Sequence, residues 1–543
     1  MNRGSVLVSK ATEFVAEEMG VALRRSALSP NIRERMDHSC AVLTADGEIA
    51  AQAEHIPVHL GSFQVGTERL LTWMAEDSVS LDKGDMILVN DPYISGTHLN
   101  DLMLLAPVFV RDRAVAYVVT KAHIVDVGGP APGSLNPEAR TLFGEGLVIP
   151  PTKLLRRGTV VPSVVRMISS NFKDPETGTG DLEAEIAANR MGIERVTRLF
   201  DRFGRATVQR GWEESIDHTR EVVRTVLAGW KAGESSARDY MEWADALLPI
   251  RLRLTVTDRT VVADFSGTHP QVEAPINAVF GVTYSATAFA IRSALASSVT
   301  TNRGFYDCVK VRAPEGCLVN PIRPAPVSGG NVETTQRIAD VVFSALSRVL
   351  RKKIPAASAG TMMNVMMGGH RPGGPYWAYY ETIGGGTGGR PWGHGVSAVQ
   401  TNMTNTLNTP IEVAEREYPL FFTGYAIRLR SGGHGVHRGG NGIVRSFQVC
   451  RPTTLAVLAD RFLCRPWGLN GGLPGQPGRV TLVRQRRKTA MESKFVTELA
   501  AGDEVILETP GGGGFGRPAS RSDSLRSLSR SGPESRARSS SGR

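Results

Sequence analysis

A chain of 543 residues, 41% hydrophobic and 21% charged, is long enough for roughly two to four domains with large cores. Its formal net charge of +10 is not a nucleic-acid footprint, because six Arg against Asp523 and Glu534 put +4 into residues 519–543 and leave +6 diluted over the other 518 residues. No apolar run approaches a membrane span, the opening MNRGSVLVSK lacks the unbroken apolar core of a signal peptide, and the five Cys show no C-x-x-C spacing, so a cytoplasmic protein with free thiols is expected, with neither nucleic acid nor membrane as partner.

Residues 5–28 place Val6, Val8, Ala11, Phe14, Val15, Met19, Val21 and Leu23 at spacings near three and four, which predicts an amphipathic helix. Asp46-Gly47 then marks a hairpin turn between Cys40–Leu43 and Glu48–Ala51. Pairing about that turn carries Asp37 and His38 toward His55 and Ile56, and His59 follows Pro57 in the extended conformation that proline favours. Asp37 and His59 are therefore ligand-capable, with a purely structural polar role equally open.

The stretch from Asn90 to Gly129 carries the strongest chemical signal. Its apolar runs, Leu102–Val110 and Ala114–Ala122, joined by Arg111-Asp112-Arg113, predict a β-hairpin. If the hairpin is centred at Asp112, Asp101 faces His123 and His98 lies near Asp126, with facing Cβ atoms roughly 5 Å apart. Imidazole and carboxylate without nearby Cys suit Zn, Mn or Fe better than Ca. Strand alternation points His98 away from Asp101, so the Thr97–Asn100 turn must break the pleat for both to reach one ion. The alternative is a hydrogen-bonded polar hairpin end.

Further on, PGSLNPEARTLFGEGLVIPPTKLLRRG is expected to be a structured loop in which Glu145 is either a general acid or base or simply a loop carboxylate. Residues 181–232 are rich in helix formers, with a break near Gly204. Strands resume at Ile250–Phe265, and Ser328–Asn331 opens a helix that Asn331 and Glu333 are expected to cap. The G-x-G-x-x-G spacings at Gly384, Gly386 and Gly389 and at Gly511, Gly513 and Gly516 lack a strand-then-helix context, so tight turns are expected there rather than a nucleotide site. The resulting fold class is α+β: a multidomain mixed architecture with antiparallel hairpins and a helical middle segment. Its expected parts are an N-terminal metal-site region over 1–175, a helical segment over 176–245, a C-terminal α+β catalytic-core region over 246–518 and a disordered Ser/Arg-rich tail over 519–543.

The segments SPNIRERMDHSCAVL, HIPVHLGS, GDMILVNDPYISGTHLNDL, AHIVDVGG, EGLVIPP, DFSGTHPQV, SGGNVETTQRIADVV, MTNTLNTPIEV, RPWGLNGGLPG and TPGGGGFG follow one another along the chain. Through them the sequence resembles, from about Val6 to Pro518, the hydantoinase B / 5-oxoprolinase family. The resemblance implies a B-type subunit of a hetero-oligomer, with ATP bound by a hydantoinase A-type partner rather than by this chain, acting on a small cyclic amide of the hydantoin or 5-oxoproline type. It implies a divalent metal ion (Zn, Mn or Fe, with Mg also admissible) held by His98, Asp101 and His123. The resemblance also matches Asp126 and His59 to polar positions around the site; the residues themselves add Asp37 beside His59, and Asp126 and Glu145 are the candidate catalytic carboxylates. Two departures stand out: Ile124 replaces the second His of A-H-H-x-D, and His38 follows Asp37 where an aromatic is usual. The alternatives are the alpha-type subunit of an ATP-dependent ketone carboxylase and a non-catalytic scaffold, the latter opposed by the intact His98, Asp101 and His123.

Overall fold

The computed structural model describes residues 1–53, 55–295, 299–350, 353–371 and 373–518; the tail expected to be disordered, 519–543, lies outside the described residues. The first sheet is fully antiparallel. It contains β1 (His38–Thr44), β2 (Ile49–Ala53), β3 (Met86–Val89), β4 (Asp101–Val110), β5 (Arg113–His123), β6 (Thr152–Arg156) and β7 (Thr159–Val160), in the order β2-β1-β5-β4-β3-β6-β7. The β4–β5 hairpin is its centre, and its side chains from Leu102 to Val108 are buried on both faces. Near-continuous apolar character, rather than alternation, is what a sheet covered on both sides demands.

Strand periodicity assigns the two faces. Thr120 donates to Glu185 of the helix Pro175–Phe203, whereas its neighbour Lys121 donates to Ser62 of the helix His59–Glu76. Successive side chains point to opposite sides of a strand, so the helix 175–203 covers one face and the helix 59–76 the other. His123 shares the Lys121 face, and so does Asp101, its direct cross-strand partner.

The helical pair 175–203 and 205–228, broken at Gly204, packs with the N-terminal helix Arg3–Ser26 and joins the same hydrophobic core as the first sheet. The expected helical segment ends earlier than position 245. GESSARDYMEW forms β8 (Gly233–Trp243), whose exposed and buried residues largely alternate and which pairs along its length with β9 (Ala246–Val256). Tertiary pairing decides this stretch over its helix-forming residues. With β10 (Val261–Asp264) and β11 (Val309–Arg312) these strands form the second sheet.

The third sheet, β13-β12-β16-β19, consists of β12 (Asn364–His370), β13 (Tyr376–Thr382), β16 (Thr453–Leu458) and β19 (Lys494–Leu499). The fourth runs β14-β15-β20-β17-β18, from β14 (Leu420–Arg428), β15 (Gly442–Val449), β17 (Arg479–Arg484), β18 (Arg487–Met491) and β20 (Glu504–Glu508). Buried ion pairs join the second and third sheets: Arg461 reaches Asp239 on β8 and Asp340 on the helix Thr335–Val349, and Arg337 reaches Asp460.

The glycine-rich segments are not the expected tight turns. They run side by side with backbones in contact: a Cβ on Gly386 would lie 1.9 Å from the Gly440 carbonyl oxygen, and one on Gly439 would lie 1.9 Å from that of Gly512. Gly389 donates to Gly513, and Gly512 donates to Gly440. Neither G-x-G-x-x-G run follows a strand into a helix, so neither has the context of a phosphate-binding loop.

Candidate metal centre

The hairpin register places Asp101 directly opposite His123, and a bulge between Val108 and Phe109 leaves Arg111-Asp112 as the turn. His98 is not on the strand. The chain leaves the short helix Pro92–Ser95 through left-handed Gly96, and the Asp101 amide donates to the His98 carbonyl, which breaks the pleat before β4 starts. The turn swings the His98 ring over the strand end, where Nε2 lies 3.0 Å from Asp101 Oδ1 and 3.2 Å from His123 Nδ1. The third edge, His123 Nδ1 to Asp101 Oδ1, is 3.3 Å.

Asp37 and His59 complete the polar wall. The Asp37 carbonyl accepts the His123 amide, and its Oδ2 stands 3.9 Å from His123 Nδ1. His59 departs from the extended conformation expected after Pro57, because it is the first residue of the helix His59–Glu76. Its Nε2 lies 3.4 Å from Asp101 Oδ2, and its Nδ1 is 3.1 Å from Ser39 Oγ. The Asp46-Gly47 hairpin does set His38 against His55, with ring centroids 4.8 Å apart, but that pair lies outside the cavity lining.

Burial alone would raise the Asp101 carboxyl; His98, His123 and His59 outweigh it and hold Asp101 well below the usual carboxylate range. Burial pushes the His59 imidazole down against the opposing pull of Asp101. The chain thus keeps an anionic oxygen at the focus of three imidazoles. Ligand atoms about 2.1 Å from one ion stand roughly 3.0 Å apart at right angles and roughly 3.4 Å apart at the tetrahedral angle. The observed triangle of 3.0, 3.2 and 3.3 Å falls between these limits. Two imidazoles and one carboxylate are a donor set for Zn, Mn or Fe. On each ring the nitrogen outside the triangle, His98 Nδ1 and His123 Nε2, is buried without a hydrogen-bond partner among the described residues.

The proposed carboxylates sit elsewhere. Asp126 accepts from the Gly128 and Gly133 amides and pairs with Lys173 at 3.3 Å. It lines a separate groove with Arg33, Trp377 and Tyr418, not the cavity of the triad. Glu145 is fully buried and accepts from the Val327 amide and from the amide and hydroxyl of Ser328. Burial raises its carboxyl to about 7 against those hydrogen bonds, and it too is absent from the cavity wall.

The opposite wall comes from the C-terminal half: Asn331, Met362, Tyr380, Thr382, Met403, Thr404 and Thr406. Tyr380 stacks on His123 and donates to Asn364 Oδ1, whose Nδ2 donates to Glu333. Arg35, 1% exposed, ties Asn31 to the Tyr380 carbonyl and to Thr382. Asn331 and Glu333 are not the expected caps; the helix start at Gly329 has no side-chain cap, and a π-helical turn spans Gly330–Thr334. Sequence reasoning passed over Arg35, Lys121 and Tyr380. Only Lys121 left a signal, as a charge inside the apolar run VVTKAH, and burial pushes it down to about 7.

Residues 5–518 match the family described as hydantoinase B/oxoprolinase, and the chain belongs to that family. It is 44% identical to an uncharacterized protein of Methanocaldococcus jannaschii over 96% of this chain and 91% of the relative. It is 31% identical to a putative D-/L-hydantoinase B-type subunit of a Pseudomonas species, over 95% and 90% of the two chains. With 5-oxoprolinase 1 of Arabidopsis thaliana it shares 34% identity over 92% of its own length but spans only 41% of that protein. Among solved structures, the ATP-dependent caprolactamase of Pseudomonas jessenii superposes with a TM-score of 0.88 at 25% identity, covering 97% and 93% of the chains. Nucleotide-free acetone carboxylase shares the fold, with a TM-score of 0.88 at 19% identity over 95% and 76%. No helix among the described residues is long and apolar enough to cross a membrane.

Proposed function

We propose that this chain is the B-type subunit of an ATP-dependent, metal-assisted cyclic amide hydrolase, with ATP bound by a separate hydantoinase A-type subunit. The observation that carries the reading is the buried triangle of His98 Nε2, Asp101 Oδ1 and His123 Nδ1 at the open end of the β4–β5 hairpin. A divalent cation held there would supply Lewis-acid polarisation of an amide carbonyl. Asp101 is held ionised at neutral pH, His59 and Asp37 contribute further polar atoms at the cavity wall, and Tyr380, Met362 and Met403 line the same cavity. The family membership and the names of the hydantoinase and 5-oxoprolinase relatives support the substrate class. The caprolactamase at 25% identity is named as ATP-dependent, and in this chain neither glycine-rich run has a phosphate-loop context, which favours a partner as the ATP site. The ketone carboxylase alternative rests on the shared fold alone.

The test is reconstitution with the ATP-binding partner. Hydantoin, 5-oxoproline and lactam hydrolysis are assayed with ATP, in parallel with carboxylation of ketones in bicarbonate. ATP-dependent ring opening that His98→Ala abolishes is the expected result; ketone carboxylation without ring opening would replace this reading with the alternative.

A further inference from the structure

The groove that Asp126 lines is a second cavity, separate from that of the triad, with a volume of about 160 Å³. That is close to the roughly 150 Å³ of a cavity that accepts benzene, whereas the space beside the triad is about 20 Å³. Residues 124–126, which follow His123 directly, meet there the helix Pro30–Arg33, the start of the helix 175–203 and the helix Ile411–Glu417 of the C-terminal half. Trp377 and Tyr418, with ring centroids 5.8 Å apart, supply apolar wall.

The groove also carries charges of both signs, few of them paired. Arg33, Arg371 and Arg416 line it and are exposed. Among the described residues the Arg33 guanidinium donates only to Glu34, at 3.4 Å, that of Arg371 only to the Glu417 carbonyl, and that of Arg416 only to the Glu417 carboxylate. A guanidinium has five N–H donors and takes a carboxylate in a forked pair of hydrogen bonds, so most of these donors remain available to an anion. Asp174 and Asp181 lie seven residues apart, which is two turns of helix, and both line the groove. The Asp174 carboxylate accepts from the Thr177 amide and hydroxyl, and Asp181 accepts from the Leu28 and Ser29 amides; neither is paired with a Lys or Arg among the described residues. Guanidinium donors, carboxylates without a cation and an apolar wall together fit a short chain with an anionic end, a cationic end and methylenes between them.

From this we infer that the groove binds the ring-opened product, a small amino acid in its zwitterionic form, at a site apart from the metal centre; the identity of the ligand rests on the proposed hydrolase. Hydrolysis of a lactam breaks the C–N bond, gives the oxygen of water to the carbonyl carbon and both its protons to the nitrogen. A neutral ring thus becomes a chain with a carboxylate at one end and an ammonium at the other. Arg33, Arg371 and Arg416 hold the carboxylate, Asp174 holds the ammonium with Asp181 adding to the negative potential, and the methylenes lie against Trp377 and Tyr418. The ring itself carries neither charge, so the groove separates product from substrate. It is built onto the metal centre, since Asn31 of the helix 30–33 donates to the His123 carbonyl.

The experiment titrates the full chain with 4-aminobutyrate, butyrate, butylamine and 2-pyrrolidinone, reading binding by ligand-observed NMR with and without a chelator. The expected result is a preference of about tenfold or more for 4-aminobutyrate over each of the other three, the worth of one charge-assisted hydrogen bond, and the same preference in the chelated chain and in His98→Ala. The double substitution Arg33→Gln with Arg416→Gln should bring 4-aminobutyrate to within about twofold of butylamine, and Asp174→Asn, which keeps a capping side chain, to within about twofold of butyrate. Equal binding of the zwitterion and the singly charged ligands, no binding of 4-aminobutyrate, a preference that survives both sets of substitutions, or one that disappears in His98→Ala would overturn the inference. The wild-type comparison needs no variant, so misfolding of a substituted chain does not remove the test. Failure of the hydrolase reading is distinct: it shows as absent ring opening by the reconstituted pair while the free chain still prefers 4-aminobutyrate, whereas failure here leaves ring opening intact.

Discussion

The Tyr380 ring lies stacked on the His123 imidazole, with centroids 4.9 Å apart and planes inclined by 13°. The two residues are 257 positions apart, on strands of different sheets, so the contact is where the C-terminal half of the chain holds a candidate ligand of the N-terminal half. Arg35 also lies over the Tyr380 ring, with its guanidinium carbon 4.6 Å from the centroid. Groups that orient a ligand ring are typically worth about 10–100-fold in metal affinity. Tyr380→Leu is therefore expected to weaken metal binding by about that factor, and Tyr380→Phe, which keeps the ring, to stay within about threefold of wild type. Competition titration with a chromogenic chelator measures both.

Asp101 and Asp126 predict opposite outcomes. Asp101→Asn removes the negative charge that His98 and His123 face and should cost more than about 100-fold in metal affinity, beyond the effect of an outer partner. Asp126→Asn weakens a loop clamp that binds the Gly128 and Gly133 amides and Lys173. It should lower stability by about 1–3 kcal/mol and leave metal content unchanged. Elemental analysis alongside denaturant unfolding separates the two; metal loss in Asp126→Asn would make that carboxylate a ligand after all.

Glu145 gives a pH dependence of stability. Its carboxyl is raised from 4.5 to about 7 by burial, against the hydrogen bonds from Val327 and Ser328. Between those values the folded state binds more protons than the unfolded state, so this group's contribution to stability falls as the pH rises from about 4.5 to about 7 and is fully lost above that. The shift corresponds to about 3 kcal/mol. Glu145→Gln carries no such titration and should flatten the decline, which urea unfolding of both proteins at pH 5, 6 and 7.5 would reveal.

The glycine bundle predicts where a single methyl group is not tolerated. Gly386→Ala places a Cβ 1.9 Å from the Gly440 carbonyl oxygen, a backbone atom locked among other backbone atoms, whereas Gly393→Ala meets nothing nearer than the Arg390 guanidinium at 3.8 Å. Gly386→Ala should cost about 3 kcal/mol or more, at the upper end of overpacking, and Gly393→Ala within about 0.5 kcal/mol. Thermal unfolding of the two variants beside wild type provides the comparison.

Local pattern determined much of this protein. Two apolar runs around Arg111-Asp112-Arg113 determined the hairpin and its register, hence the facing of Asp101 and His123, because pairing in a hairpin follows from the turn and from period-2 alternation. The ordered motifs determined the family. Local pattern did not determine the second wall of the cavity. Asn331, Tyr380 and Thr406 reach the cavity beside His123 only because separate sheets dock, and no periodicity within a strand or helix encodes a contact across hundreds of residues. For the same reason His98 and Asp126, both close to the hairpin's open end in sequence, part company: the turn at Gly96 carries one ring inward, while the Gly128 and Gly133 amides and Lys173 claim the other side chain. The glycine runs show it most plainly, since a residue without a side chain carries no pattern of its own, and its role there comes from the backbones that the tertiary structure lays against it.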